Sequence, residues 1–353
     1  MRSHPAASLF LLALCAAPAL ARVREKTLLR DFDQGTADDR VRLAPALGRL
    51  GGKKAVESLL LALDVKHDSP RTTTAIVAAL GRAGDPRAVD ELTRTWDYLN
   101  SMTLQLGELP AGLQVLRVET ADALSRCGGK PAVAILETAL GDKDPRVVEA
   151  AVRGLGRLQD QNAVPALRRL VGASDDLTQA VFESLGRIGD GRCVATLEQG
   201  LKMPSKFANI EAAYGLALAG PRKRRKESVR RLEGWLKEDP GEEKAAVLAA
   251  YYLAKLDETP GLDHLVKLMN KADSPYAALA AESLGKSGDE RAVLPLTIAA
   301  KSPDGSVRLA IARALGRLGG TRAVAALRRL RDDPNPGVRA AAAGSLTALG
   351  ELD

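Results

Sequence analysis

Residue types that commonly perform catalysis or bind metals are few in this chain and lie far apart. Beyond residue 21 the sequence has two histidines, His67 and His264, and neither has a glutamate next to it. The cysteines Cys127 and Cys193 do not share zinc-ligand spacing with them. A Gly-x-Ser-x-Gly elbow and a phosphate-binding glycine loop are also missing from the sequence. We therefore predict no catalytic residue, metal or cofactor, and we expect both histidines to be exposed polar residues.

Composition points to an all-α protein. Hydrophobic residues make up 46% of the 353 residues, which is too apolar for a disordered chain. Aromatic residues make up only 3%, and β-branched residues are also scarce, which disfavours a sheet protein.

The first 21 residues, MRSHPAASLFLLALCAAPALA, have the order of a secretory signal peptide. Arg2 precedes an apolar run that ends in the small residues Ala19 and Ala21. We predict cleavage after Ala21 and export to the periplasm of a bacterium or to the medium, with an uncleaved anchor as the alternative. The apolar run is short for a membrane span, so residues 22–353 are expected to hold no transmembrane segment. Loss of Arg2 lowers the formal net charge from +7 to +6.

One amphipathic phrase recurs along the whole remaining chain. RGLGRLQDQNAVPALRRL at 153–170 is written almost again as RALGRLGGTRAVAALRRL at 313–330. Weaker copies fill the interval, and five of the nine spacings between the aligned leucines are 31 residues. The anchor leucines are Leu47, Leu80, Leu124, Leu155, Leu185, Leu216, Leu253, Leu284, Leu315 and Leu346. A fixed period of this size indicates stacked supersecondary units.

Each unit is predicted to be a pair of short antiparallel helices. In 306–331 the apolar residues before Gly319 recur three or four apart, as on one face of a helix, and a second stripe follows it. We call the helix with RAV the first helix and the helix with LG the second. The residue after each anchor leucine is small, which predicts that a neighbouring helix approaches closely there. These small residues are Gly48, Gly81, Ser125, Gly156, Gly186, Ala217, Ala254, Gly285, Gly316 and Thr347.

The repeated phrase resembles the short HEAT-like repeat of the phycobilisome-lyase type. SLGRIGDGRCVATL at 184–197, SLGKSGDERAVLPL at 283–296 and KDPRVVEAAVRGLG at 143–156 carry the resemblance. It implies an α-solenoid of about ten two-helix units over 22–353, taken as a single domain, with the second helices on the concave face. HEAT-repeat hydroxylases hold a di-iron centre through His-Glu pairs, and this chain has no such pair.

The cysteines are predicted to be buried free thiols. Cys127 occupies an apolar position of the second helix, and Cys193 replaces an alanine of the first helix. The two stand about two units apart, roughly 20 Å at helix-packing distances of ~10 Å. A disulfide cannot span that distance.

A partner groove is predicted around units five to eight. Tyr214 and Tyr251 occupy the same generally polar position of consecutive units, and exposed tyrosines are common interface anchors. Arg187, Lys255 and Lys286 would form the polar rim. The alternative is that the two rings only cover a neighbouring helix, and that the cations complement helix dipoles. If the rings are anchors, replacing both with alanine should abolish partner capture and leave the melting temperature nearly unchanged.

Two segments lengthen the period. The first, PRKRRK at 221–226, contains the basic residues Arg222, Lys223, Arg224, Arg225 and Lys226. The helix dipole disfavours cations at a helix N-terminus, so we expect these residues to form an exposed loop and the following helix to start near Ser228. This loop is either merely solvated or a docking point for an anionic partner.

The segment 99–112 is expected to be a long loop whose apolar residues either pack on the array or contact a partner.

The function predicted from these features is that of a non-enzymatic, exported, monomeric scaffold that binds a protein partner along its concave face. An electrostatic binder of an anionic polymer, such as a surface polysaccharide or extracellular DNA, is the alternative. A lyase or chromophore-handling role, implied by the namesake of the repeat, is a further alternative.

Overall fold

The computed structural model describes residues 25–237, 243–271 and 274–351, and every regular element in these ranges is helical. The signal-peptide prediction for residues 1–21 lies outside them. No described helix combines the length and apolar character that a membrane crossing requires.

Ten helices carry the anchor leucines, each of which is at most 3% exposed. These second helices are α2 Ala37–Leu50, α4 Pro70–Ala83, α6 Ala111–Cys127, α8 Pro145–Leu158, α10 Asp175–Ile188, α12 Lys206–Ala219, α14 Glu243–Lys255, α16 Ala277–Ser287, α18 Gly305–Leu318 and α20 Pro336–Ala348. The predicted α-solenoid of two-helix units is confirmed.

The first helices alternate with the second helices along the chain. They are α1 at residues 25–33, α3 Gly52–Leu61, α5 Val89–Leu106, α7 Lys130–Ala139, α9 Val164–Arg169, α11 Gly191–Gly200, α13 Arg222–Gly234, α15 Thr259–Met269, α17 Val293–Ala299 and α19 Thr321–Leu330. Short 3-10 turns, Pro86–Ala88, Gln161–Ala163 and Glu290–Ala292, precede α5, α9 and α17. Buried Leu, Val and Ala side chains fill the space between the two layers.

The recurring acidic residues of the phrase form the helix starts. Asp144 accepts a hydrogen bond from the backbone N–H of Arg146 at the start of α8, which satisfies an otherwise unpaired helical donor. Asp190 does the same for Arg192 at the start of α11 and also accepts from its guanidinium. These contacts lower the pKa of Asp190 to about 2. The phrase therefore encodes the helix boundaries as well as the buried stripe.

Where the small residue after an anchor leucine is glycine, it lies at a close approach between neighbouring units. A Cβ added at Gly48 would lie 2.6 Å from the carbonyl oxygen of Ala79, and one added at Gly285 would lie 2.5 Å from the Cα of Ala314. At these glycines consecutive second helices therefore pack backbone to backbone, as the sequence predicts.

The row of second helices closes on itself, because α2 packs against α20. Nη2 of Arg49, at the end of α2, donates a hydrogen bond of 2.5 Å to the carbonyl oxygen of Gly316. Within the array, Arg82 donates in a similar way to the carbonyl oxygen of Pro45 in the preceding unit. The second helices thus form an inner ring, with the first helices outside it. We call the surface that the second helices turn toward the middle of this ring the inner face.

Candidate binding pocket on the inner face

A pocket of about 640 Å³ lies on the inner face where units four to eight meet. Its side chains come from α8, α10, α12, α14 and α16. A volume of this size suits a small molecule or one or two side chains of a partner. The pocket lies in the region of units five to eight where the sequence predicts a partner groove, and Tyr251 and Lys286 are the predicted residues that line it.

Tyr252 explains why the helices separate at this place. It stands directly before the anchor Leu253. At this aligned position, which we call its column, the other nine units have Ala, Gly or Ser. The ring is 1% exposed and stacks on Tyr214, with 4.2 Å between ring centroids. Its hydroxyl oxygen accepts a hydrogen bond from Nε2 of Gln179 on α10. A large ring in a column of small residues holds α12 and α14 apart, since the backbones cannot approach as they do elsewhere.

The two tyrosines singled out in the sequence occupy different environments. The expectation of an exposed Tyr214 is wrong, because its side chain is 2% exposed and stacks on Tyr252. Burial, aided by the charge of Glu183, raises the pKa of its hydroxyl. Tyr251 is half-buried and lines the pocket. Tyr251 alone therefore stays a candidate partner contact.

Replacing Tyr214 with alanine is expected to lower the free energy of unfolding by about 3 kcal/mol, because it leaves a cavity beside Tyr252. The loss from Tyr251→Ala should be less than half as large, since that ring is only partly covered. Urea unfolding followed by far-UV circular dichroism measures both. Equal losses in the two variants would contradict this difference.

Lys255 was predicted to lie at the polar rim of the groove. This prediction is wrong, because the side chain is largely buried. Its side chain is 16% exposed, and Nζ lies 2.8 Å from Oε1 of Glu183. The ammonium also stands 4.9 Å from the ring centroid of Tyr214 and 5.4 Å from that of Tyr251. A buried carboxylate and aromatic faces together hold this cation in place.

Arg187 and Lys286 are also engaged within the chain. Nη2 of Arg187 lies 2.8 Å from Oε1 of Glu183, and Nζ of Lys286 lies 2.9 Å from Oε1 of Glu282. Burial acts to raise the pKa of Glu183, but Lys255 and Arg187 outweigh it, so the pKa is lowered. Glu183 is therefore ionised and neutralised by its own neighbours. Of these residues, Lys286 and Glu183 line the pocket, whereas Arg187 does not.

Glu211 is the residue of the pocket that the sequence analysis missed. It projects from α12 and is 6% exposed, and in the described part of the chain it has no hydrogen bond or ion pair. Burial raises its pKa to about 8, with a contribution of the same sign from Asp175. The signal was present in the sequence, because the position five residues before the anchor leucine is acidic only here and at Glu119.

The basic segment is helical, which corrects the prediction of an exposed loop. Helix α13 begins at Arg222, directly after Pro221, rather than near Ser228. Nη2 of Arg225 donates to the carbonyl oxygen of Leu256 at 2.6 Å and lies 3.3 Å from Oε1 of Glu258. These contacts offset the unfavourable placement of cations at a helix start. Arg222, Lys223 and Lys226 are exposed, while Arg224 and Arg225 are partly buried.

The inserted segment 99–112 also differs from the predicted long loop. It lengthens α5 to Leu106 and lets α6 begin at Ala111, with a short turn between them. Leu109 is 5% exposed, whereas Leu104 is 88% exposed. Part of the segment therefore packs on the array, and part presents apolar surface to solvent.

The histidines and cysteines stand apart from the pocket. His67 is exposed, with Nδ1 2.8 Å from Oδ2 of Asp64, and His264 is half-buried on α15. Cys127 and Cys193 are buried free thiols, as predicted. Burial raises the pKa of the Cys127 thiol to about 11, so it is protonated at neutral pH. Across the described ranges, no group of three or more His, Cys, Asp and Glu residues is placed to hold a metal ion.

The family model described as HEAT repeats matches residues 110–185 and 262–347. No curated protein matches the sequence. Among solved structures, human deoxyhypusine hydroxylase in complex with glycerol is 20% identical, with a TM-score of 0.41 over 76% of this chain and 97% of that chain. An engineered protein is 19% identical, with a TM-score of 0.36 over 92% and 98% of the two chains. The complex of CpcE and CpcF of phycocyanin lyase from Nostoc sp. PCC7120 is 19% identical, with a TM-score of 0.32 over 85% and 91%.

Proposed function

We propose that the chain, in which residues 110–185 and 262–347 match HEAT repeats, is a non-enzymatic scaffold that binds a protein partner in the inner-face pocket. The observation that carries the proposal is the pocket itself. It lies where Tyr252 stands in place of the small residue that the other nine units have directly before the anchor leucine. A large ring in place of a small residue prevents close helix packing at this point. Such a loss of packing is expected where the space between the helices binds a ligand.

Side chains at the mouth of the pocket support a protein ligand. Tyr251 and Leu248 are half-buried, and Leu279 is 36% exposed. An aromatic ring and aliphatic groups beside charged residues form the mixed surface typical of protein interfaces. Partner binding would then use Tyr251 and the open side of Lys286, while Arg187 and Lys255 would act indirectly by holding Glu183.

We also propose that the scaffold is exported, with residues 1–21 acting as the signal peptide. The order of Arg2, an apolar run and Ala19 and Ala21 supports this. The partner would then be a protein of the periplasm or of the cell exterior.

A matched pair of leucines tests the partner site. Leu279→Arg places a long cation at the mouth of the pocket, and Leu294→Arg places the same side chain on α17, outside the inner ring, where Leu294 is 50% exposed. In a pull-down from the periplasmic fraction, Leu279→Arg should reduce the captured partner at least about tenfold, in line with loss of an interface anchor. Leu294→Arg should capture as much partner as the unchanged protein. Equal capture by both variants would refute the pocket as the partner site.

Binding of an anionic polymer is the second candidate, and a specific cluster favours it. A cavity of about 520 Å³ where the ring closes is lined by Arg49, Arg313 and Arg317. Burial and the charge of Arg82 in the neighbouring unit lower the pKa of Arg49. Steep loss of binding with added salt would favour the polymer, because release of condensed counterions drives such binding. Weak salt dependence would favour the protein partner.

A further inference from the structure

We propose that the inner-face pocket receives the protonated side chain of a lysine or arginine, with the Glu211 carboxylate as its counter-ion. The inference rests on the proposed function, because it names the chemistry by which the partner is held. A basic side chain that reaches into the ring would act as the central anchor of the interface.

Glu211 carries the inference because it is buried without an ion pair of its own. Arg153, the cation that acts on it, is bound to Glu149 and Glu183. Glu211 is 6% exposed, borders the pocket, and forms no hydrogen bond or ion pair among the described residues. Burying a carboxyl in this way is unfavourable unless a partner satisfies it. The pocket beside it is wide enough for a partner group to reach the carboxyl. A cationic ligand supplies what the chain does not.

Two exposed carboxylates lie close to Glu211 at the edge of the pocket. Asp175 and Asp176 stand exposed in the first turn of α10 at the edge of the pocket, and neither has an ion pair within the described ranges. On the same helix, Glu183 is neutralised by Lys255 and Arg187. Two further carboxylates therefore stand near the place where a ligand cation would enter.

The cations that line the pocket already contact other groups of the chain, and Arg153 also lies 3.4 Å from Oε2 of Glu183. Arg153 on α8 pairs with Glu149 at 2.9 Å, and Lys286 on α16 pairs with Glu282. Lys244 on α14 lies over the ring of Phe207, with Nζ 5.5 Å from its centroid. An anionic ligand would meet Glu211 and the two aspartates, whereas a cationic ligand would find unpaired carboxylates.

The chain contains a precedent for this recognition in Lys255. That ammonium lies between Glu183 and the rings of Tyr214 and Tyr251, one helical turn from the pocket wall. The ligand cation would find a carboxyl group and an aromatic ring together in Glu211 and Tyr251. Val247 and Leu248 would cover the methylene groups of an incoming lysine, as apolar surfaces commonly do for such side chains.

The probe is a five-residue acetylated peptide amide with a central lysine between leucines, compared with the same peptide carrying norleucine in place of lysine. Norleucine keeps the aliphatic stem and removes the ammonium group. We expect the lysine peptide to bind at least about tenfold more tightly at pH 8.5, as measured by NMR titration. Glu211→Gln should reduce this preference to nearly one. Glu119→Gln, at the equivalent position of unit three and outside the pocket, should leave it unchanged.

The pH dependence separates a direct ion pair from a change in packing. With the Glu211 pKa at about 8, affinity for the lysine peptide should rise about tenfold from pH 7 to pH 9, because binding requires the carboxylate form. The rise should vanish in Glu211→Gln. Asp175, Asp176, Glu183 and Arg153, which face the same carboxyl, remain in both proteins and so do not confuse the comparison.

The outcomes distinguish this inference from the proposed function. Equal binding of the two peptides, no binding of either up to about 10 mM, or an unchanged preference in Glu211→Gln would overturn the cationic anchor. If Leu279→Arg abolishes partner capture while Glu211→Gln does not, the partner site stands and the anchor is wrong. If the lysine peptide binds as expected but Leu279→Arg leaves partner capture intact, the anchor chemistry stands and the proposed partner site is wrong.

Discussion

Replacing Gly186 with valine is expected to lower the free energy of unfolding by about 4 kcal/mol, more than most single substitutions. A Cβ at this position would stand 2.6 Å from the carbonyl oxygen and 2.7 Å from the Cα of Gly215. Both are backbone atoms of the next second helix, so no side chain can rotate away. The helices α10 and α12 must separate, and the buried contacts on either side of them loosen. Urea unfolding followed by circular dichroism measures the loss.

The control for this prediction is another helical glycine. Gly344 on α20 has no atom within 4 Å of the position that a Cβ would take. Gly344→Ala should therefore be neutral or stabilise the protein by up to about 1 kcal/mol, because alanine has the higher helix propensity. If Gly186→Val and Gly344→Ala shift the unfolding midpoint by similar amounts, close packing at the small column is not what stabilises the array.

Glu211→Gln is expected to stabilise the protein in alkaline solution, by on the order of 4 kcal/mol at pH 9. The carboxyl of Glu211 has a pKa of about 8 in the folded chain, against 4.5 as the ordinary value. At a pH below both pKa values the Glu211 carboxyl is neutral in the folded and the unfolded chain, so it does not change the free energy of unfolding. As the pH rises from 4.5 to 8 the unfolded chain releases the proton while the folded chain retains it, so stability falls. Glutamine has no such proton, and the difference between the two proteins should be small at pH 5 and full above pH 8.

Glu282 provides a control of the opposite sign. The nearby Lys286 lowers the pKa of its carboxyl, so the ionised form stabilises the folded state. Glu282→Gln should therefore destabilise the protein slightly above pH 5 and leave it unchanged in acid. Urea unfolding at pH 5, 7 and 9 gives both trends. A stability difference for Glu211→Gln that does not vary with pH would contradict the assignment of a proton to this carboxyl.

The sequence predicted the features that depend on one unit and its immediate neighbour. The anchor leucines are buried, and Gly48 and Gly285 lie where helices meet, because those contacts repeat with the period of the sequence. The two cysteines were placed correctly for the same reason. Each of these predictions follows from local periodicity.

The pocket could not be predicted in this way because it depends on departures from the period. Tyr252 reads as one apolar residue among many until its column is compared across all the units. Its contact with Gln179 joins residues 73 positions apart, which no local pattern reveals. Glu211 reads as a solvated acid unless α10 and α14 are known to enclose it. The polar position shared by Tyr214 and Tyr251 suggested exposure, but the stacking of Tyr214 on Tyr252 overrides it.

The helix at Arg222 shows how tertiary contacts override a local preference. Cations at a helix N-terminus are disfavoured by roughly 0.3 to 1 kcal/mol. The contacts of Arg225 with Leu256 and Glu258 are of similar or larger size, since they include a hydrogen bond from a charged donor. Pro221 adds a backbone already suited to the first turn. The sequence shows the unfavourable cations, but it does not show the partners that compensate for them.

The contact between α2 and α20 changes how the array can come apart. In an open solenoid each end unit has one neighbour, so unfolding begins by fraying at the ends and moves inward. Here the first and last units shield each other, and every unit must lose two interfaces before it can detach. The protein should accordingly unfold in one cooperative transition. The closed ring also fixes the number of units, because an added hairpin would clash with its neighbours and a deleted hairpin would leave a gap.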